Sequence, residues 1–165
     1  MRAAEILLEL GNARYPYQQT GPGTWTAQLP SGKELAVEFE IETRFSPAGG
    51  SWRAKNLNIS FFVNDDYRIS GEGDQFRIFA TVMQVLANEL PRAIRPDVKF
   101  VDFTADYDEP SRIALYTRAA PRIDRILRTI SDQWQFEKIN YGQSIRFVWH
   151  LPKDIPTDAR KRSYN

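Results

Sequence analysis

Arg68-Ile69-Ser70-Gly71-Glu72-Gly73-Asp74 lies between a period-two apolar run and a helical apolar run. A glycine-bearing turn from strand to helix exposes several backbone N–H groups at the positive end of the helix, which suits a phosphate or another anion. Glu72 and Asp74 work against that attraction. The plainer reading is a tight turn permitted by Gly71 and Gly73, with Asp74 capping the helix.

Other residue groups could also carry chemistry. Asp65, Asp66, Asp102, Asp106, Asp108 and Glu109 cluster around two strand ends, where carboxylates can hold magnesium for phosphoryl chemistry. Aspartates also end strands and cap helices, and Asp108 or Glu109 stands before Pro110 as a cap would. Arg118, Arg122, Arg125 and Arg128 recur at helical spacing on one face. They could meet phosphate groups or an acidic protein, or form a solvated face paired with Asp124 and Asp132. His150 is the one histidine, which excludes a multi-histidine metal site; at the end of the last strand it reads as a surface residue. No G-x-S-x-G elbow is present.

These groups must be positioned by elements whose periodicity is legible. Residues 2–10 read as a short helix ended by Gly11, and residues 12–23 as a loop with a short edge strand. Trp25, Ala27 and Leu29 alternate with polar residues as a strand. Pro30-Ser31-Gly32-Lys33 turns the chain into strand 34–44, where Leu35, Val37, Phe39 and Ile41 face inward and Glu38, Glu40 and Glu42 face water. After a loop over 45–51, residues 55–64 form a strand with Leu57, Ile59, Phe61 and Val63 on one face. Trp52 in that loop is a candidate contact residue, whereas Trp25, Trp134 and Trp149 read as packing.

Residues 74–90 give the strongest helix. Phe76, Phe79, Ala80, Met83, Ala87 and Leu90 form one stripe, and Ile78, Val82 and Val85 a second, with Pro91 and Pro96 ending it. Val98–Ala105 is apolar on both faces, as inside a sheet. Strand, helix, strand at this spacing implies a right-handed parallel crossover. Residues 110–131 form a long helix that Pro121 should kink or divide. Strands 134–139 and 144–150 follow, then a tail over 151–165. The fold class is α/β, one domain over 1–150: a single mixed sheet with an antiparallel meander, then strand-helix-strand-helix and a final strand pair. Edge strands such as 144–150 offer pairing across a homodimer.

The 165 residues include no cysteine, which removes disulfides, thiolate catalysis and cysteine-ligated zinc. No apolar run approaches the ~18 residues needed to span a bilayer, and Ile6-Leu7-Leu8 is too short for a signal peptide. A cytoplasmic protein with no membrane partner is the expectation. A formal net charge of +1 argues against nucleic acid as a partner.

Two motifs carry a family likeness. Arg68-x-x-Gly71-x-Gly73 follows a strand and opens a helix, and Ser111-Arg112-Ile113-Ala114-Leu115-Tyr116 lies in the next helix but one. With the element order, this resembles the GNAT-type N-acetyltransferase superfamily over roughly residues 34–150. The resemblance implies an acetyl-CoA cofactor whose pyrophosphate meets backbone amides of a loop formed by Arg68, Ser70, Gly71, Glu72, Gly73 and Asp74. Arg68 would contact phosphate or brace the loop, and Tyr116 would be the general acid that reprotonates the departing thiolate. The function implied is CoA-dependent acyl transfer to an amine-bearing small molecule or protein. A carboxylate acting through water could deprotonate the amine; Glu38, Glu40 and Glu42 are candidates by strand position.

The chain departs from the family in two places. Glu72 and Asp74 flank Gly73, and Ala120-Pro121 replaces the usual Gly-Phe pair. Ser-Arg-x-x-Leu-Tyr-x-Arg in the later helix also resembles small bacteriophage proteins. That likeness implies the second reading, a non-enzymatic, phage-encoded interaction protein that keeps the scaffold and binds a host protein in the host cytoplasm.

Overall fold

Alternation decides the first half of the sheet. The computed structural model describes residues 14–45, 53–64 and 75–151. The expected helix over 2–10, the 46–52 loop with Trp52, the 65–74 segment and the tail beyond Leu151 lie outside the described residues. β1 (Gln18–Gly21), β2 (Thr24–Gln28), β3 (Glu34–Phe45) and β4 (Arg53–Val63) form an antiparallel meander. Leu35 and Val37 on β3, and Leu57, Ile59, Phe61 and Val63 on β4, are buried on one face, so the period-two pattern places the core as expected.

The turn from β1 to β2 depends on one glycine. Gly23 has φ +67°, and a Cβ there would lie 2.6 Å from the carbonyl oxygen of Phe39. That approach exists because the Gly23 carbonyl accepts the Phe39 N–H at 2.8 Å. Gly23→Ala should therefore cost about 1–3 kcal/mol in denaturant unfolding. Gly32→Ala, at φ +81° in open space, should cost less. Equal losses at the two sites would show that dihedral angle alone, and not the close approach, sets the effect.

After β4 the chain returns through helix α1 (Gln75–Ala93) to β5 (Val98–Asp106), which pairs with β4 in parallel. Helix α2 (Pro110–Ile130) leads to β6 (Gln135–Asn140) and β7 (Ser144–His150). The sheet has seven strands in the order β1-β2-β3-β4-β5-β7-β6. It is the single mixed α/β sheet that the sequence implies, an antiparallel meander followed by a parallel crossover and a final strand pair. α1 and α2 pack against each other, and both join the core built on the Leu57–Val63 face.

Several local expectations are corrected. α1 runs past Pro91 to Ala93, because a proline in the last turn removes one donor while Ile94 N–H still reaches the Leu90 carbonyl at 3.1 Å. Both predicted stripes are buried, Phe79, Ala80, Met83 and Leu90 as well as Ile78, Val82 and Val85; the exception is Phe76, which is 60% exposed. α2 is not divided at Pro121. The proline is exposed, so the helix carbonyl it leaves unbonded is on the water side. Tyr116, Ala119, Ala120, Ile123 and Leu127 hold the inner face on both sides of it. β7 is no edge strand: β5 and β6 flank it, so the edges among the described strands are β1 and β6.

Candidate functional site

The parallel pair at the centre of the sheet is the least complete ladder in it. β4 and β5 pair at four positions, Lys55↔Val98, Asn56↔Phe100, Leu57↔Val101 and Asn58↔Asp102. β4 continues to Val63 and β5 to Asp106, and each stays paired on its outer side, to β3 and β7. The two strands thus part at their C-terminal halves, the end from which the chain leaves β4 toward α1. No strand pairing joins Ile59–Val63 to Phe103–Asp106.

On the helix side, this gap is bridged by one aromatic ring. Tyr116 of α2 is 0% exposed. Its ring centroid lies 4.9 Å from Phe61 on β4 and 4.3 Å from Phe103 on β5, with Phe147 at 6.0 Å. Offset and edge-on contacts of this kind add to simple burial. The Tyr116 hydroxyl accepts a hydrogen bond from Arg112 Nε at 2.9 Å, and Arg112 Nη1 donates to Glu109 Oε2 at 2.9 Å. Burial disfavours the Arg112 charge, but Tyr116 and Glu109 outweigh it and hold the guanidinium above the ordinary arginine pKa. Glu109 is the N-cap residue of α2, yet its carboxylate makes no cap bond and serves Arg112 instead.

On the opposite face, where the ladder ends, stands a buried polar cluster. Asp102 is 3% exposed. Its Oδ1 accepts from Asn56 Nδ2 at 3.0 Å and from Asn58 Nδ2 at 3.1 Å. Its Oδ2 accepts from Arg146 Nε at 2.5 Å. Arg146 Nη2 lies 2.5 Å from the same oxygen, an ion-pair contact without hydrogen-bond alignment. Asn56 Oδ1 is buried with no hydrogen-bond partner. The register places Glu42 opposite Asn56, Glu40 opposite Asn58 and Glu38 opposite Ser60. The three candidate bases therefore line this same face, with Glu38 half-buried and the other two exposed. The sequence carried a signal for this cluster: Asp102 is the lone acid between Val98 and Ala105, and an acid inside an apolar strand must find partners.

The remaining candidates are scattered. Arg68, Ser70, Gly71, Glu72, Gly73 and Asp74 lie outside the described residues, as do Asp65 and Asp66. Asp102 is taken up by Asn56, Asn58 and Arg146, and among the described residues it is not grouped with Asp106, Asp108 and Glu109. Asp106, Asp108 and Glu109 do bring carboxylate oxygens within 4.8 Å of one another, but Glu109 is already paired with Arg112.

His150 corrects the surface expectation: it is 3% exposed, because β7 is internal, and its Nε2 lies 3.6 Å from Glu137 Oε2. In the arginine row, only Arg128 has the expected acidic partner, Asp124 at 2.7 Å, and it meets Asp132 through the backbone carbonyl. The other Asp124 oxygen accepts Trp149 Nε1 at 3.2 Å. A cleft of about 410 Å³ opens beside this pair, between Pro121 and Asp124 of α2 and Phe136 and Lys138 of β6.

No protein-family model matches the sequence, and no curated protein matches it either. Among solved structures, the crystal structure of Arabidopsis thaliana NAA60 in complex with acetyl-CoA aligns with this chain at 13% identity and a TM-score of 0.34. The alignment covers 93% of this chain and 85% of that one. The fold assignment stands on this chain's own strand order and parallel crossover.

Proposed function

We propose that this protein carries out CoA-dependent acyl transfer to an amine. The observation that supports it is the parted β4/β5 pair, whose ladder stops at Asn58↔Asp102 while both strands run on. A gap between parallel strands admits an extended ligand that adds alongside main chain, with backbone groups giving affinity. Backbone amides from Gly71 to Asp74 would hold a pyrophosphate, and Arg68 would contact it or brace the loop. Bound acetyl-CoA supplies an activated acyl group.

The chain's own residues supply position and a proton. A direct transfer needs a neutral amine and a proton donor for the leaving group. Tyr116 is that donor in this reading. The positive charge of Arg112 stands 2.9 Å from the hydroxyl oxygen that becomes negative when the proton leaves. Glu38, Glu40 and Glu42 line the face from which an amine would approach, and a carboxylate there takes its proton through water.

One observation favours a second reading, an interaction protein on the same scaffold. The Tyr116 ring spans Phe61 and Phe103 and closes the gap from the helix side. Thermal unfolding with acetyl-CoA separates the two. A ligand at about 100 times its Kd stabilises by about 2.7 kcal/mol, a rise of roughly 5–10 °C for a domain of this size. An unchanged midpoint at millimolar acetyl-CoA ends the acyl-transfer reading and leaves the interaction protein.

A further inference from the structure

The cleft of about 410 Å³ beside α2 plays no part in the acyl-transfer chemistry. Its size is that of a small-ligand site. Ala120 and Pro121 of α2 form one wall, and Phe136 and Lys138 of β6 with Phe147 of β7 form the floor. β6 is an edge among the described strands, so none of them closes that side.

Ring surface is the first indication of what fits there. Phe136 is 43% exposed, although its ring stacks on Phe147 at a centroid distance of 6.5 Å and lies 4.8 Å from Trp149. A ring packed on its inner side and bare on its outer side offers apolar area with little conformational freedom left to lose. Pro121 is exposed too, and its side chain is rigid. A flat, apolar body suits both surfaces.

Charge is the second indication. Among the described residues, Asp124, Arg128 and Lys138 are the charged side chains that line the cleft. Asp124 and Arg128 cancel at 2.7 Å, and the other Asp124 oxygen accepts Trp149 Nε1. Lys138 is left over. Its Nζ stands 5.4 Å from the centroid of the Phe147 ring, and it has no acidic partner among the described residues. The adjacent Glu137 points to the opposite face of the sheet, toward His150. One unbalanced positive charge therefore stands over apolar ground. A monoanion balances it, whereas a dianion such as phosphate overcompensates and offers no ring.

We propose that the cleft between α2 and β6 binds a small aromatic carboxylate, with its ring against Phe136 and Pro121 and its carboxylate on Lys138 Nζ. The site is independent of the acyl-transfer reading, since a simple aromatic acid carries no thioester and its binding is measured without acetyl-CoA.

Calorimetric titration with 2-naphthoate, against neutral naphthalene-2-methanol and against acetate, tests it. The naphthoate should saturate in the millimolar range or below, the alcohol more weakly, and acetate not at all. Amide resonances of Ala120, Phe136 and Lys138 should shift during the naphthoate titration. Lys138→Met should weaken naphthoate about five- to tenfold and erase its advantage over the alcohol, while Lys138→Arg keeps most of the binding. Phe136→Leu should weaken both aromatic probes. Arg118→Ala, on an exposed position outside the cleft, should change neither. Lys138→Gln serves if the methionine variant folds poorly. The proposal is overturned if naphthoate does not bind saturably, if the alcohol binds as tightly, or if the Lys138 variants bind naphthoate as the wild type does. Shifts confined to other parts of the chain, or a β6 edge occupied by a second copy that naphthoate does not displace, overturn it equally.

Discussion

Asp102→Ala will destabilise the protein by about 3–5 kcal/mol, seen as a lower denaturant midpoint with an unchanged slope. The magnitude follows from what is left behind. Arg146 has a side chain 13% exposed, and Asp102 is its carboxylate partner. Asn56 and Asn58 both donate to the same Oδ1, so removing the carboxylate orphans three donor groups in one step. An unpaired buried guanidinium carries most of the cost, as the attraction it loses is larger than water can replace at that depth. The double variant Asp102→Ala with Arg146→Met should recover a large part of the loss, since it removes the orphaned charge along with its partner. If the two single losses simply add, the pair is not coupled and the account of the cluster is wrong.

The second large effect is at Tyr116, where two substitutions separate packing from chemistry. Tyr116→Ala will cost about 3–5 kcal/mol, because it empties a site between Phe61, Phe103 and Phe147 that no side chain can collapse into without leaving β4 or β5. Tyr116→Phe keeps the ring and removes only the acceptor of Arg112 Nε, a loss of about 1–2 kcal/mol, since Arg112 keeps Glu109. If Tyr116 is the proton donor, the phenylalanine variant loses about 10²–10⁴ in kcat with the KM for the amine little changed. A variant with near wild-type kcat and a slightly lower melting temperature would make the hydroxyl purely structural.

What could be read from the chain was one-dimensional. β3 and β4 announced themselves because one of their faces is buried and the other polar, so Leu35, Val37, Leu57 and Ile59 alternate with Glu38, Glu40, Asn56 and Asn58. The parallel crossover followed from element order. Strand order at the far end did not, because sequence order places β7 last while pairing places it between β5 and β6.

A signal existed there. Ile145, Phe147, Val148 and Trp149 make β7 apolar on both faces, whereas β6 reads Gln-Phe-Glu-Lys-Ile-Asn. A strand apolar on both sides belongs inside a sheet. Reading it that way buries His150 and moves the edge to β6. The prolines misled for a related reason: a rule about lost hydrogen bonds does not say whether the lost bond faces solvent, as at Pro121, or falls in a last turn, as at Pro91. For the candidate site, the Tyr116 environment and the Asp102 cluster join residues more than 40 positions apart, such as Asn56 with Asp102 and Asp102 with Arg146, which local patterning does not encode.

The four-position ladder between β4 and β5 has a mechanical consequence. It divides the backbone pairing of the sheet into two parts, β1 to β4 on one side and β5, β7 and β6 on the other, joined by four pairings that end at Asp102. Beyond that seam the two halves are held, among the described residues, by side chains and not by main chain, Asp102 with Asn56 and Asn58 on one face and the Tyr116 ring against Phe61 on the other.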